Sequence, residues 1–202
     1  YQPSGSMDEF SLGLLAHLIG DGCVLARQPI HYTSADQVNL AYVGAAAQKL
    51  FKITPRVVQQ ENWYHIYLPS PYRLTHRRHN PIVQWFTELG VANRRAGEKE
   101  IPSVIFQLPL AQIAHFIHHL WATDGSVGYN RASGNIRIYY ASKSETLIRQ
   151  VQHLLLRFGI TGRIKWSQKG DYAPTWYIDI YGKTDQLIFA EQIGVFGSRG
   201  KI

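Results

Sequence analysis

The residues with the clearest capacity for chemistry are two aspartates, Asp21 and Asp124, each followed by glycine and each preceded by an apolar, helix-forming run. The first run passes from Leu12 through Leu18-Ile19-Gly20, and the second from Leu110 through Leu120-Trp121-Ala122-Thr123. Ala16 and Gly20 lie four residues apart on the first helix, and His119 and Thr123 hold the matching places on the second. A stripe lined largely by small residues lets two helices meet closely at their C-terminal ends. That approach sets Asp21 beside Asp124. Two carboxylates at the negative ends of two helix dipoles repel unless a divalent cation neutralises them. Mg²⁺ is the expected ion, because it takes one or two carboxylates and fills its remaining positions with water and phosphate oxygens. The chemistry this serves is phosphodiester hydrolysis, the ion activating the attacking water and stabilising the departing 3′ oxygen. Asp-Gly alone is a common turn dipeptide; its recurrence in register carries the reading.

The elements that must position these aspartates also recur. After each Asp-Gly come two expected strands, 23–28 with 30–33 and 126–130 with 136–141. Helices follow over 36–51, capped by Ser34, and over 145–158, capped by Ser142 or Ser144. Phe51-Lys52-Ile53-Thr54 parallels Phe158-Gly159-Ile160-Thr161. Two further strands (56–60 and 63–68; 163–167 and 176–181) precede last helices ending at Leu89-Gly90-Val91 and Ile193-Gly194-Val195. Each half therefore reads α-β-β-α-β-β-α, an α+β class with antiparallel sheets. Residues 1–9 read as a leader, 10–103 as the first repeat with its linker, and 104–202 as the second repeat.

Composition agrees with a folded binder of polyanions. Of 202 residues 45% are hydrophobic, enough to bury a core, and the net charge is +7. The single cysteine, Cys23, excludes an internal disulfide and a Cys-based zinc site. No apolar run reaches the ~20 residues that span a bilayer, so no membrane partner is expected, and with a lone cysteine the expected location is intracellular. His115 and His119 have the spacing of a zinc pair, but Phe116 stands where a zinc hydrolase carries glutamate. No glycine-rich phosphate loop is present.

The stretch Leu14-Leu15-Ala16-His17-Leu18-Ile19-Gly20-Asp21-Gly22 resembles the signature of the LAGLIDADG homing endonucleases, and Ile117–Gly125 resembles the second copy found in single-chain members. Lys99-Glu100-Ile101-Pro102 is similar to the lysine motif of intein-borne members. The likeness is to the endonuclease domain of inteins that interrupt bacterial replicative helicases, and it spans 10–202. It implies a pseudo-twofold αββαββα pair whose sheets form a saddle over a long, nearly palindromic duplex. It also implies metal-dependent cleavage of both strands with short 3′ overhangs by a monomer, Ca²⁺ occupying the same sites without turnover. By that resemblance the metal site is Asp21, Asp124, Gly20 and Thr123, the catalytic lysines are Lys99 and Lys201, and Ser34 and Ser142 order active-site water. His119 stands where the family carries glycine, so close helix packing needs its ring to swing out of the seam. No nucleophile opens the fold and no His-Asn closes it, so the chain is not expected to splice.

Strand alternation gives each sheet a face for the helices and a face for the DNA groove. Arg163, Lys165 and Ser167 alternate with Ile164 and Trp166, and Arg56, Val58 and Gln60 are their first-half counterparts. Arg27, His31, Asn130, Arg137 and Tyr139 on the earlier strands complete the expected readers. The basic clusters Arg73, His76, Arg77, Arg78, His79 and Arg94, Arg95 suit phosphates or plain solvation. A scaffold that binds DNA without cutting, or assists RNA splicing, is the alternative function. Retention of both aspartates favours the enzyme, since a binder gains nothing from carboxylates facing phosphate.

Overall fold

The computed structural model describes residues 3–130 and 134–198, with the side chain of Asn130 left out. The first half runs α1 (Glu9–Asp21), β1 (Gly22–Cys23), β2 (His31–Ser34), α2 (Gln37–Phe51), β3 (Arg56–Gln59), β4 (Tyr64–Tyr67) and α3 (Pro81–Glu88). The second runs α4 (Leu110–Asp124), β5 (Gly125–Asn130), β6 (Asn135–Ser142), α5 (Glu145–Leu156), β7 (Gly162–Ser167), β8 (Thr175–Ile180) and α6 (Lys183–Gln192). Two sheets with the same antiparallel order, β1-β2-β4-β3 and β5-β6-β8-β7, place the repeats on one plan. Matching pairs fix the correspondence. Gly22 faces Tyr32 and Tyr32 faces Ile66, just as Gly125 faces Tyr140 and Tyr140 faces Ile178.

α1 is buried along its whole middle, from Leu12 to Gly20, because α4, α2 and the first sheet all pack against it. Asp8 caps it, its carboxylate accepting the Ser11 amide at 3.0 Å. Each Asp-Gly then ends its helix abruptly in extended backbone. A β-carbon on Gly22 would lie 2.4 Å from the Leu18 carbonyl oxygen, and one on Gly125 would lie 2.3 Å from Trp121. Glycine is required there by close approach of the chain to its own last turn.

Several boundaries differ from the sequence reading. β1 is only two residues, and Arg27 lies in the exposed turn that follows rather than on a strand. Asp36, not Ser34, caps α2, its carboxylate accepting the Val38 amide at 2.9 Å, whereas α5 takes the second of its two expected caps, Ser144. β3 stops at Gln59, leaving Gln60 in the turn, where its N–H bonds the Trp63 carbonyl. Two short 3₁₀ helices, Ala96–Glu98 and Ser103–Gln107, lie in the connection between halves.

Each half sends its last segment across to the other. The Ser144 hydroxyl, at the start of α5, donates to the Lys99 carbonyl at 2.6 Å, and Gln150 brackets Ile101. In return, the Ser198 amide and hydroxyl donate to Asp36, at the start of α2, at 2.8 and 2.5 Å. Apolar residues of both halves form one continuous core. Among the described residues no helix is long and apolar enough to cross a membrane.

Candidate metal centre and nucleic-acid interface

α1 and α4 meet closely at the ends that carry the aspartates. A β-carbon on Gly20 would lie 2.1 Å from the Thr123 hydroxyl and 2.5 Å from its β-carbon. Thr123 is fixed there by donating to the Leu120 carbonyl at 2.7 Å. Gly20→Ala is therefore expected to lever the helices apart and cost about 1–3 kcal/mol, the usual range for overpacking. A urea midpoint equal to that of the parent would show that the seam has slack.

Farther along, the seam is polar. His119 does not swing out of the seam, contrary to the expectation from sequence; it is 2% exposed, with Nδ1 3.1 Å from Nε2 of His17. His17 is fully buried and its Nδ1 lies 3.0 Å from the Tyr32 hydroxyl. Tyr42 and Phe196 lie against His119, with ring centroids 4.4 and 4.2 Å away. The seam accepts an imidazole in place of glycine because α1 supplies a second imidazole to bond it. Burial drives His17 down to about 3 and His119 to about 2, so both rings are neutral.

The aspartates meet a lysine from the linker. The Lys99 ammonium donates to the Gly20 carbonyl and, at 3.0 Å, to the Gly22 carbonyl. Burial lowers its pKa, and the carboxylates of Asp21 and Asp124 both pull it back up. On the other side, burial and the same two carboxylates, Asp124 more strongly than Asp21, raise the Tyr140 phenol far above its ordinary value. Both negative charges are thus felt by one ammonium and by one phenol, which brings Asp21, Asp124 and Lys99 into one neighbourhood at the helix ends.

The donor set fits a hard divalent cation. It offers carboxylate and main-chain oxygens, and among the described residues no group of three or more His, Cys, Asp and Glu forms a complete cage. A Mg²⁺ site supplied partly by water and phosphate has that character. The Gly20 carbonyl has a second lone pair beyond the one Lys99 uses. Ser34 and Ser142 have local duties: their hydroxyl oxygens accept the amides of Asp36 and Ser144, each at 3.1 Å, in the turns that open α2 and α5. Lys201 lies outside the described residues.

The sheet register decides which side chains face away from the helices. On the second sheet Arg137, Tyr139, Tyr177, Asp179, Arg163 and Lys165 share that face, with Ser167 beyond them. The backbone of Asn130 is in β5, opposite Asn135, and its side chain lies outside the described residues. On the first sheet the matching face carries His31, Thr33, His65, Tyr67, Arg56 and Val58. Cations lie over aromatic rings on both sheets, Arg56 at 5.0 Å from the Tyr67 centroid and Arg137 at 4.4 Å from that of Tyr139. Sequence alternation identifies the basic members of this surface, leaves Tyr67, Tyr177 and Asp179 undecided between the two faces of their strands, and misses Thr33 and His65. Asp179 is 1% exposed, and Arg137 and Lys165 pair with its two oxygens at 3.3 and 2.7 Å.

Comparison with known proteins places these features. Residues 111–194 match the model of a LAGLIDADG-like domain. The chain is 44% identical over 193 residues to the replicative DNA helicase DnaB of Synechocystis sp., a match that covers 93% of this chain and 22% of that protein. It spans about a fifth of the length of the curated relatives it matches. Among solved structures it is similar to I-DmoI in complex with DNA and Mn, with TM-score 0.63, 14% identity, and coverage of 92% of this chain and 96% of that one. It is also similar to the N-terminal LAGLIDADG domain of DUF199/WhiA, with TM-score 0.61, 14% identity, and coverage of 96% and 85%. The recurring helix ends, the matched sheets and these likenesses agree: residues 111–194 form a LAGLIDADG-like domain, and the chain as a whole has the two-repeat LAGLIDADG fold.

Proposed function

We propose that this chain is a site-specific endonuclease that cuts both strands of a long, nearly palindromic DNA duplex, leaving short 3′ overhangs. The observation that carries the reading is the close contact of α1 and α4 at Gly20 and Thr123, the residues immediately before Asp21 and Asp124, with Lys99 bonded to the Gly20 and Gly22 carbonyls. In this reading the repeats are 10–103 and 104–202, and the protein acts as a monomer whose pseudo-twofold axis lies on that of the target. An origin within an intein of a replicative helicase suits the DnaB likeness.

Asp21 and Asp124, with the main-chain oxygens of Gly20 and Thr123, hold divalent cations, Mg²⁺ in the active form. The bound ion supplies Lewis acidity at the scissile phosphate and lowers the pKa of water. The protein's own contribution is placement. The helix crossing sets the spacing between the two carboxylates and hence between the two scissile phosphates. Lys99, anchored by two carbonyls, holds a positive charge where negative charge grows on the phosphate oxygens. Lys201 is the second-half counterpart. The open faces of the two sheets lie in the grooves on either side, where Arg and Lys contact phosphates and guanine edges. DNA cleavage is favoured over binding alone because carboxylates facing phosphate weaken a pure binder.

The test is cleavage selection from a randomised duplex library. With Mg²⁺ the protein is expected to enrich one long site cut on both strands; with Ca²⁺ it is expected to bind that site uncut. A protein that enriches a site by retention yet never cuts it with Mg²⁺ or Mn²⁺ would be a binding scaffold, and the proposal would fall.

A further inference from the structure

The groove-facing surfaces of the two sheets differ in one unexpected way. Asp179 sits in the middle of the second surface, on β8, directly between Tyr139 of β6 and Arg163 of β7. At the matching place the first sheet carries Tyr67, flanked in the same manner by His31 and Arg56. A carboxylate on a surface meant for a polyanion should repel it. Yet this one is 1% exposed, roofed by the Arg137 guanidinium and the Lys165 ammonium, whose side chains are themselves 56% and 46% exposed. Burying a carboxylate is costly, and an apolar residue would fill the same space more cheaply. Fold stability is therefore a poor reason for an aspartate here.

We propose, on the basis of the DNA-cleaving function inferred above, that Asp179 is a positioning residue for DNA recognition. It withdraws Arg137 and Lys165 from indiscriminate phosphate binding and holds their heads for base edges in one half-site. The physical trade is between two uses of a cation. A free lysine contributes to binding any duplex through counterion release, steepening the salt dependence by about 0.9 per phosphate neutralised. A cation already paired with a buried carboxylate releases little, but its head is fixed, and a fixed donor discriminates between bases. The second half-site is then read with higher selectivity per cation than the first, where Arg56 has an aromatic ring beneath it in place of a carboxylate.

The test measures binding of duplexes in Ca²⁺ as a function of salt, using the site selected above and an unrelated duplex of equal length. On the unrelated duplex, Arg56→Gln is expected to flatten the slope of log K against log salt by about 0.9, and Lys165→Gln by less than half as much. Asp179→Asn is expected to steepen the slope, to tighten unrelated binding roughly tenfold at low salt, and to shrink the penalty for base changes in one half-site only. Asp179→Asn/Lys165→Gln, which restores the charge balance, is expected to return the slope to that of the parent. Equal flattening by Arg56→Gln and Lys165→Gln would overturn the inference without touching Asp179, should its own variant misfold. A uniform loss of affinity in Asp179→Asn, with slope and base preference unchanged, would assign the residue a purely structural role and overturn it as well. If the parent selects no site at all, the functional reading fails and takes this inference with it; a parent that selects and cuts while the variants behave alike defeats this inference only.

Discussion

Asp21→Asn is expected to abolish linearisation of a plasmid bearing the selected site, lowering the double-strand cleavage rate by about a thousandfold or more, while duplex binding in Ca²⁺ persists. The size follows from what is removed. The variant keeps the shape and the hydrogen-bonding oxygen of the side chain but deletes one of the two charges that, in the proposed function, would hold cations at the helix ends. A factor of a thousand corresponds to about 4 kcal/mol of lost transition-state stabilisation, within the range for removing one electrostatic partner at a reacting phosphate. Binding should survive because the groove-facing side chains are on the sheets, and losing a negative charge near phosphate does not weaken attraction. Lys99 serves as an internal control for the site. Its ammonium is tied to carbonyls of Gly20 and Gly22 and feels both carboxylates, so the asparagine variant should alter charge there and leave backbone geometry in place. Plasmid linearised at the parental rate by this variant would remove the shared-metal reading.

The second large effect is acid sensitivity of the fold. His17 and His119 are held down to about 3 and about 2 by burial, whereas an unfolded imidazole titrates near 6.5. The unfolded state therefore binds more protons than the native state between these values. Stability is full above pH 6.5 and falls as pH drops through that window, by about 1.4 kcal/mol per pH unit for each imidazole that must stay neutral. For the pair, a fall from pH 6.5 to 4.5 costs on the order of 5 kcal/mol, which rivals the whole stability of an ordinary domain. Ordinary carboxylates protonate chiefly toward the foot of that interval and below it, and His118 and His65, whose pKa burial also lowers, add to the trend in the same direction. The groups facing the pair do not reverse the sign. Asp36 favours charge on His17, but burial outweighs it, and His118 and His115 add repulsion, while Tyr32, Tyr42 and Phe196 are uncharged. Denaturant midpoints of the parent should fall steeply from pH 6.5 to 4.5, and His119→Gln, which keeps a polar group in the seam, should show about half that slope. Midpoints that stay level down to pH 4.5, or an unchanged slope in the variant, would mean that the seam admits protons freely.

The acid effect and the cleavage effect arise from the same pair of helices at two levels of the crossing. Near the aspartates the seam is narrow because Gly20 has no side chain to hold Thr123 away. One to two turns earlier it is wide enough for two bonded imidazoles. The likeness of the chain to known LAGLIDADG proteins does not by itself explain how a histidine can stand where glycine is usual; the His17 partner on the facing helix does.

Local grammar made much of this legible from residues alone. Asp-Gly after an apolar helical run, seen twice, announced both the repeat and the candidate site, because only glycine lets the chain turn so tightly back over Leu18 and Trp121. Element order and the two-faced character of β7 followed from periodicity, since Arg163, Ile164 and Lys165 alternate cleanly. Short or mixed segments escape the pattern for a physical reason: β1 needs only two residues to begin a sheet, and Asp36 outcompetes Ser34 as a cap because it stands immediately before the helix, two positions nearer than Ser34. What tertiary structure alone decided was how far apart, and in what company, those residues come to rest. The bond between His17 and His119, the grip of Lys99 on two carbonyls, and the burial of Asp179 under Arg137 and Lys165 all join residues far apart in the chain. Such pairings depend on how separately patterned helices, strands and linkers pack, within a half or across the two, and a pattern repeating every two or every 3.6 residues holds no information about packing partners.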